Sequence, residues 1–282
     1  DKGAVPVAHW RFDEGGGPTA YDESANNNDG ALNAGAGGTN TAVGQMWTRQ
    51  GKIGPALELD GTDDYAQVGD KASLKGFNTV TAMAWVKVNA QQTGGVLANT
   101  SGGYNLWYNS TSGIRAEVVV TGPAGVAIYG GVLPTGQWKH IAMTYDQQNL
   151  RLYIDGVQVN SVADIRALAA QDTAGFRVGE YAGYFNGIID DVRIYNYART
   201  ADQILVDYNA GSAAHLGAGT DPNEGTAPVL YFSFDENTST TVYDRSGNGY
   251  NGAFVNSPSW ELGKYGWAVN CDSNDYINLA SP

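Results

Sequence analysis

The chain has 282 residues and a formal net charge of −13, from 29 acidic and 16 basic side chains. The basic residues are scattered, so nucleic-acid binding lacks its electrostatic term and an anionic membrane surface would repel the protein. Cys271 is the only cysteine, which excludes an internal disulfide or a cysteine metal cluster, and no apolar run approaches the ~20 residues of a membrane span. Charged residues make up only 16% of the chain, while Gly (38) and Tyr (17) are abundant, a composition suited to strands and turns outside the cell. The chain opens at Asp1 with no charged-then-apolar leader, which reads as a mature or excised segment of an exported protein.

Alternation with a period of two runs through most of the chain. It predicts a strand at 7–13 (VAHWRFD), two short strands at 56–68 around a Gly-Thr-Asp-Asp turn, and a strand at 79–88 (TVTAMAWVKV). Further strands are expected at 113–120, 125–130 and 137–146, then a hairpin at 150–160 in which Asp155-Gly156 supplies the positive φ angles of a type I′ turn. FRVGE and the segment 185–197 complete the set. One helix is expected, TADQILVDYNA, with Thr200 and Gln203 placed as a capping box and Ile204, Leu205 and Tyr208 as its apolar stripe. Many short strands and one helix predict an all-β antiparallel sandwich.

The chain then repeats itself. Asp13, Tyr21, Asp22, Ser24, Asn26 and Gly30 recur as Asp235, Tyr243, Asp244, Ser246, Asn248 and Gly252, each pair 222 positions apart. GKIGPALELDGTDDYA recurs as GKYGWAVNCDSNDYI. The expected organisation is a complete domain over 1–210, a linker over 211–226 that is rich in small and polar residues, and the opening strands of a second copy over 227–282.

The stretches HWRFDE, YDESANNNDG, GKIGPALELDGTDDYAQV, VTAMAWVKV, GQWKHIAMTYD, LRLYIDGVQV, FNGIIDDVRIYNYART and ADQILVDYN, in this order, resemble the LamG-like jelly-roll family of the concanavalin A-like lectin/glucanase superfamily. The resemblance covers almost all of residues 5–210. It implies two antiparallel sheets packed face to face, an extracellular setting, and a non-catalytic role in carbohydrate binding, adhesion or assembly. It also implies that Trp10, Trp47, Trp85 and Trp138 are core residues. In such sandwiches a cation pins the N-terminal strand to the final one, which would place structural Ca2+ at Asp13 and Asp190 with oxygens from the 26–29 loop.

Read by themselves, Asp22, Ser24 and Asn26 have the spacing of the first half of a calcium loop, and equally that of residues bonding their own backbone in successive turns. Glycoside hydrolysis needs two carboxylates facing one cleft. Asp190 and Asp191 are adjacent on a strand and point apart, and Glu58 and Asp60 run straight into a turn, so no catalytic role is expected. With the core tryptophans set aside, Tyr104, Trp107, Tyr108, Tyr181 and Tyr184 remain for a sugar-binding rim, or for packing across strands. Glycans are the expected partners. The alternative is a structural subunit of a filament or surface layer, in which the partial second copy adds strands to a neighbouring subunit.

Overall fold

The computed structural model describes residues 3–122, 125–169, 175–213, 230–234, 239–245, 249–262, 267–272 and 274–279. The chain divides into two compact units, Asp1–Gly211 and Ser212–Pro282. The first unit opens with β1 (Ala8–Trp10), β2 (Thr19–Ala20), β3 (Gly30–Asn33), β4 (Trp47–Thr48), β5 (Ala56–Asp60) and β6 (Tyr65–Gly69). The long central strands are β7 (Val80–Val88), β8 (Gly94–Asn99), β9 (Tyr104–Asn109), β10 (Gly113–Val118), β11 (Val126–Tyr129) and β12 (Trp138–Tyr145). It closes with β13 (Asn149–Ile154), β14 (Val157–Ala163), β15 (Phe176–Val178), β16 (Asn186–Tyr195) and the helix α1 (Ala201–Ala213).

These strands form two antiparallel sheets. One has the order β14-β13-β12-β7-β16-β5-β4, with β1 also on β16; the other has the order β11-β10-β9-β8-β15-β6-β3-β2. The fold is the expected all-β jelly-roll sandwich. Period-two alternation decides which side chains meet between the sheets. From β7, Val80, Ala82, Ala84, Val86 and Val88 enter the main core, as do Ile141 and Met143 of β12 and Tyr104, Leu106 and Tyr108 of β9. Trp10 stacks on Phe176 at 5.1 Å across this core. Asp155 and Gly156 both have positive φ, 51° and 77°, as the predicted hairpin turn requires.

The opposite parity of β7 and β12 supplies a second, smaller core. Met83, Ala142, Tyr153 and Tyr195 lie on the outer face of the first sheet and are covered by Ile204 of α1. The capping box forms reciprocally: Gln203 N donates to Thr200 Oγ1 at 3.3 Å and Thr200 N to Gln203 Oε1 at 3.1 Å. Leu205, expected on the apolar stripe, is 43% exposed instead, because Ile204 and Tyr208 make the face that meets the sheet. Tyr208 stacks on Trp85, which packs against His140. Burial pushes the His140 imidazole down to about 4. Beside it Asp191 bonds His9 Nε2 at 2.7 Å and pairs with Arg193, and this attraction outweighs burial to hold the Asp191 carboxyl far below the usual range. Of the four predicted core tryptophans, Trp10 and Trp85 are buried, while Trp47 and Trp138 are half-buried.

In the second unit β17 (Thr241–Val242), β18 (Gly252–Val255) and β21 (Tyr276–Leu279) form one sheet, and β19 (Ser259–Leu262) pairs with β20 (Trp267–Asn270). Ala253, Phe254 and Val255 face Asn278, Ile277 and Tyr276. In the first unit Ala31, Leu32 and Asn33 face Gln67, Ala66 and Tyr65, the same register residue for residue. Phe12 and Phe234 share a left-handed backbone, at φ 57° and 58°. The expected linker begins inside α1, which continues to Ala213; the rest of it, and the counterparts Asp235, Ser246 and Asn248, lie outside the described residues.

Candidate functional site

The outer faces of the two sheets differ. That of the first sheet carries α1. That of the second carries a line of aromatic and arginine side chains. On β9 and β10, Trp107 and Arg115 are cross-strand partners, and Arg115 Cζ lies 4.7 Å from the Trp107 ring centre and 5.4 Å from that of Tyr129. Glu117 fixes both: it accepts from Trp107 Nε1 at 3.2 Å and from Arg115 Nη2 at 2.9 Å. Tyr181 meets Trp107 edge-on at 6.0 Å, and Tyr184 lies 6.4 Å from Tyr65, whose ring Arg177 approaches at 5.8 Å. Tyr129 is 41% exposed, and Tyr65, Tyr181 and Tyr184 are half-buried. Such π faces, flanked by oriented guanidinium donors, suit the apolar face and hydroxyl rim of a sugar ring.

Tyr181 and Tyr184 stand on a loop that lies directly on the sheet. A Cβ at Gly95 would fall 2.3 Å from Tyr181 N, and one at Gly94 would fall 2.2 Å from the Tyr184 carbonyl. The two glycines let the loop approach this closely. Arg115 Nε is buried and has no hydrogen-bond partner among the described residues.

Two of the five predicted rim residues are corrected. Tyr104 and Tyr108 are 1% and 0% exposed and belong to the core, with Tyr104 Oη donating to the Leu74 carbonyl at 3.0 Å. Alternation forces this result, since Trp107 on the outer face puts 104 and 108 on the inner one. Burial pushes both phenols up. Trp107 is largely covered by its neighbours and acts as the platform on which Tyr181 and Arg115 sit. Tyr65, Arg115 and Tyr129, which complete the line, were not singled out from the sequence. Their cross-strand register carries that information, and no local motif does.

The predicted metal residues separate into two groups. Asp22 is fully engaged by protein donors: Oδ1 accepts from His9 N and Ser24 N, and Oδ2 from Ser24 Oγ, Asn28 N and Asn28 Nδ2, all at 2.7–2.9 Å. Ser24 Oγ and Asn26 Nδ2 in turn donate to the Val7 carbonyl. These bonds hold Asp22 below the usual carboxylate range against the opposing effect of burial. The geometry of Asp22, Ser24 and Asn26 is therefore that of successive hydrogen-bonded turns clamping β1, and a cation there would have to displace donors already in place. Asp13 and Asp190 differ. Asp190 is wholly buried, accepts from Ile53 N at 2.8 Å through Oδ2, and keeps Oδ1 without a partner among the described residues. Burial, with Asp191 and Asp13 nearby, pushes its carboxyl well above the usual range. Asp13 pairs with Arg11 at 3.0 Å. An orphaned buried carboxylate oxygen beside a second carboxylate fits a cation, so Asp13 and Asp190 are the members of the predicted set that could hold one.

Glu58 and Asp60 share an open cleft of about 450 Å³ with Thr39, Asn40, Asn89 and Asn186. Asn89 Nδ2 donates to Glu58 at 3.2 Å, and backbone N–H groups of residues 39, 40 and 62 hold Asp60 below the usual carboxylate range. Asp60 is thus kept as an oriented carboxylate rather than as a proton donor.

Fold and face together define a jelly-roll sandwich of the lectin type, with α1 packed on part of one outer face and a line of aromatic side chains on the other. The sequence agrees: the laminin-G family model of the Concanavalin A-like lectin/glucanases superfamily matches residues 60–205, just over half of the 282, and the chain belongs to this family. None of the curated proteins is similar in sequence to this chain. Among solved structures, the chain is similar to domain 4 of AbnA, a GH43 extracellular arabinanase from Geobacillus stearothermophilus, in complex with arabinotriose. That match has 24% identity and a TM-score of 0.55, and covers 73% of this chain and 98% of the other. The binding domain of Paraclostridial Mosquitocidal Protein 1 is similar at 12% identity and TM-score 0.56, over 97% of this chain and 63% of that one. The botulinum neurotoxin serotype G binding domain is similar at 12% identity and TM-score 0.57, over 97% and 72%. These likenesses show the shared fold.

Proposed function

We propose that this protein is a non-catalytic carbohydrate-binding module that acts outside the cell, with its binding face on the outside of the second sheet. The observation that carries this reading is the line Tyr184–Tyr65 and Tyr181–Trp107–Arg115–Tyr129 on the one sheet face that α1 does not cover. Sugar rings stack on the tyrosine faces while Arg115 donates to ring hydroxyls. The arabinotriose bound by the similar arabinanase domain suggests short neutral oligosaccharides as first ligands to try. The module adheres to polysaccharide on a surface and does not cut it, and Asp13 with Asp190 holds the structural calcium that pins the terminal strands.

A glycan array and soluble-polysaccharide binding on the full chain test this reading. Saturable binding is expected, with Tyr129→Ala and Tyr181→Ala each weakening it about tenfold, the loss of one stacking contact. Binding unchanged in both variants would refute the assignment of the face.

A second reading has its own observation. The edge of β21 away from β18 has no strand partner among the described residues, whereas its counterpart β6 has β15 on that edge. An edge of this kind accepts a further strand, and a neighbouring subunit could supply it in a filament or surface layer. Concentration-dependent polymers in sedimentation, suppressed by Ile277→Lys, would favour this reading; a monomer at every concentration would end it.

A further inference from the structure

A different carboxylate group stands at the turn between β5 and β6. Asp60, Asp63 and Asp64 each offer a carboxylate oxygen, and these oxygens lie within 4.8 Å of one another. Proximity of like charges is costly unless something offsets it. No Lys, Arg or His among the described residues forms an ion pair with any of the three.

Protein donors clamp one oxygen of Asp63 and of Asp64 and both oxygens of Asp60, whose Oδ1 accepts from Thr62 N at 2.8 Å. Thr39 N and Asn40 N donate to Asp60 Oδ2 at 2.6 and 2.9 Å, and Gly37 N donates to Asp63 Oδ2 at 2.8 Å. Asn40 Nδ2 and Asp60 N donate to Asp64 Oδ2 at 2.7 and 2.9 Å. The clamp is built by the loop 34–40, which wraps so tightly that a Cβ at Gly38 or Gly35 would fall 2.0 Å from Asp60 Oδ2 or from the Asp63 carboxyl. The second oxygens of Asp63 and Asp64 are treated differently. Asp64 is 0% exposed, and its Oδ1 is buried with no partner; Asp63 Oδ1 is likewise buried and unpartnered among the described residues. A buried acceptor left without a donor is destabilising, and two in one cluster of like charge point to a missing partner that is positive.

We infer that Asp60, Asp63 and Asp64 form a calcium site, distinct from the Asp13–Asp190 pair, in which the glycine-rich loop 34–40 orients three carboxylates around one cation. Calcium accepts 6–8 oxygens in irregular geometry, so clamped carboxylates and turn carbonyls suit it. Magnesium retains several waters in a strict octahedron, whereas two of the three carboxylates here present buried oxygens, which suit a cation that sheds its waters more readily. Asp60 also lines the open cleft with Glu58, Asn89 and Asn186, so the cation would hold the wall of that cleft in place.

The test is calorimetric titration of the chelator-stripped full chain with CaCl2, and separately with MgCl2, together with thermal unfolding. Calcium is expected to bind and to raise the unfolding midpoint. Asp63→Asn should weaken this binding at least tenfold and Asp64→Asn should abolish it, whereas Asp190→Asn leaves it in place. Asp63 is half-buried and Asn occupies the matching position, Asn274, in the second unit, so this variant keeps the test readable if Asp64→Asn does not fold. Absence of calcium binding, binding unaltered in both variants, binding lost only in Asp190→Asn, or magnesium bound as tightly as calcium would each overturn the inference.

Discussion

The β5–β6 turn of the first unit and the turn between Trp267–Asn270 and Tyr276–Leu279 in the second are written in nearly the same residues. The backbone repeats: Asp60 N donates to Asp64 Oδ2 at 2.9 Å, and Asp272 N to Asp275 Oδ2 at 3.3 Å. The chemistry does not. Asn274 stands where Asp63 would be, and between β18 and β19 the chain has only residues 256–258, where the first unit has 34–46 between β3 and β4. The loop that clamps three carboxylates therefore has no counterpart. Strand register follows from the hydrophobic alternation that both copies share, whereas a binding site depends on an excursion that only one of them makes.

The comparison can be broken most forcefully in the core. Phe12 is 1% exposed, and Phe12→Ala should destabilise the first unit by about 3–5 kcal/mol. Phe234→Ala, at a half-buried position with the same backbone, should cost the second unit about 1–2 kcal/mol. Urea denaturation followed by tryptophan fluorescence measures both, and equal shifts would contradict the difference in packing. Next comes the Asp22 clamp. Asp22→Ala strands five donated hydrogen bonds, two of them from the wholly buried Asn28, and should cost about 3 kcal/mol. Asp244, which accepts from Tyr231 N and Tyr250 N at 3.0 Å, holds the equivalent place, and its loss should loosen only the second unit.

A smaller effect concerns acid. Unfolded, the His140 imidazole titrates near 6.5; folded and buried, it titrates near 4, with Asp155 and Asp191 favouring the proton and Arg193 opposing it. Protons bind the unfolded chain first, so stability present above pH 6.5 falls progressively as pH drops towards 4. His140→Gln should flatten the unfolding midpoint between those values, and an unchanged slope would show that another group carries it. The smallest expected effect is none at all. Asn274→Asp restores the third carboxylate to the second turn, yet calcium titration of Asp63→Asn/Asn274→Asp should show no recovery, since the loop is missing.

Much of the fold was legible because alternation is a local signal. The 79–88 and 137–146 strands, the Asp155-Gly156 hairpin and the capping box at Thr200 and Gln203 all lie where the residues place them. The shortest strands, β2 and β4, carry two residues each and give no period to read. The site was less legible. Parity alone could have separated Trp107 from Tyr104 and Tyr108, but Tyr65, Arg115 and Tyr129 join the line only through strand pairing at long range. The Asp22 triplet was compatible with a metal or with turns, and only the positions of His9 N and Asn28 N distinguish the two. Asp63 and Asp64 carry no signal of their own within the Gly-Thr-Asp-Asp turn, because it is contact with residues 37–40, distant in sequence, that orients them.

The bare backbone at Gly94 and Gly95 has a consequence for how such a protein diversifies. The segment carrying Tyr181 and Tyr184 rests on β8 without interlocking side chains at those two positions, so its residues can be exchanged while the sandwich beneath stays intact. Ligand preference and scaffold integrity are thereby uncoupled at one place. A single methyl group at position 95 would lock them together again, lifting both tyrosines off the sheet at once.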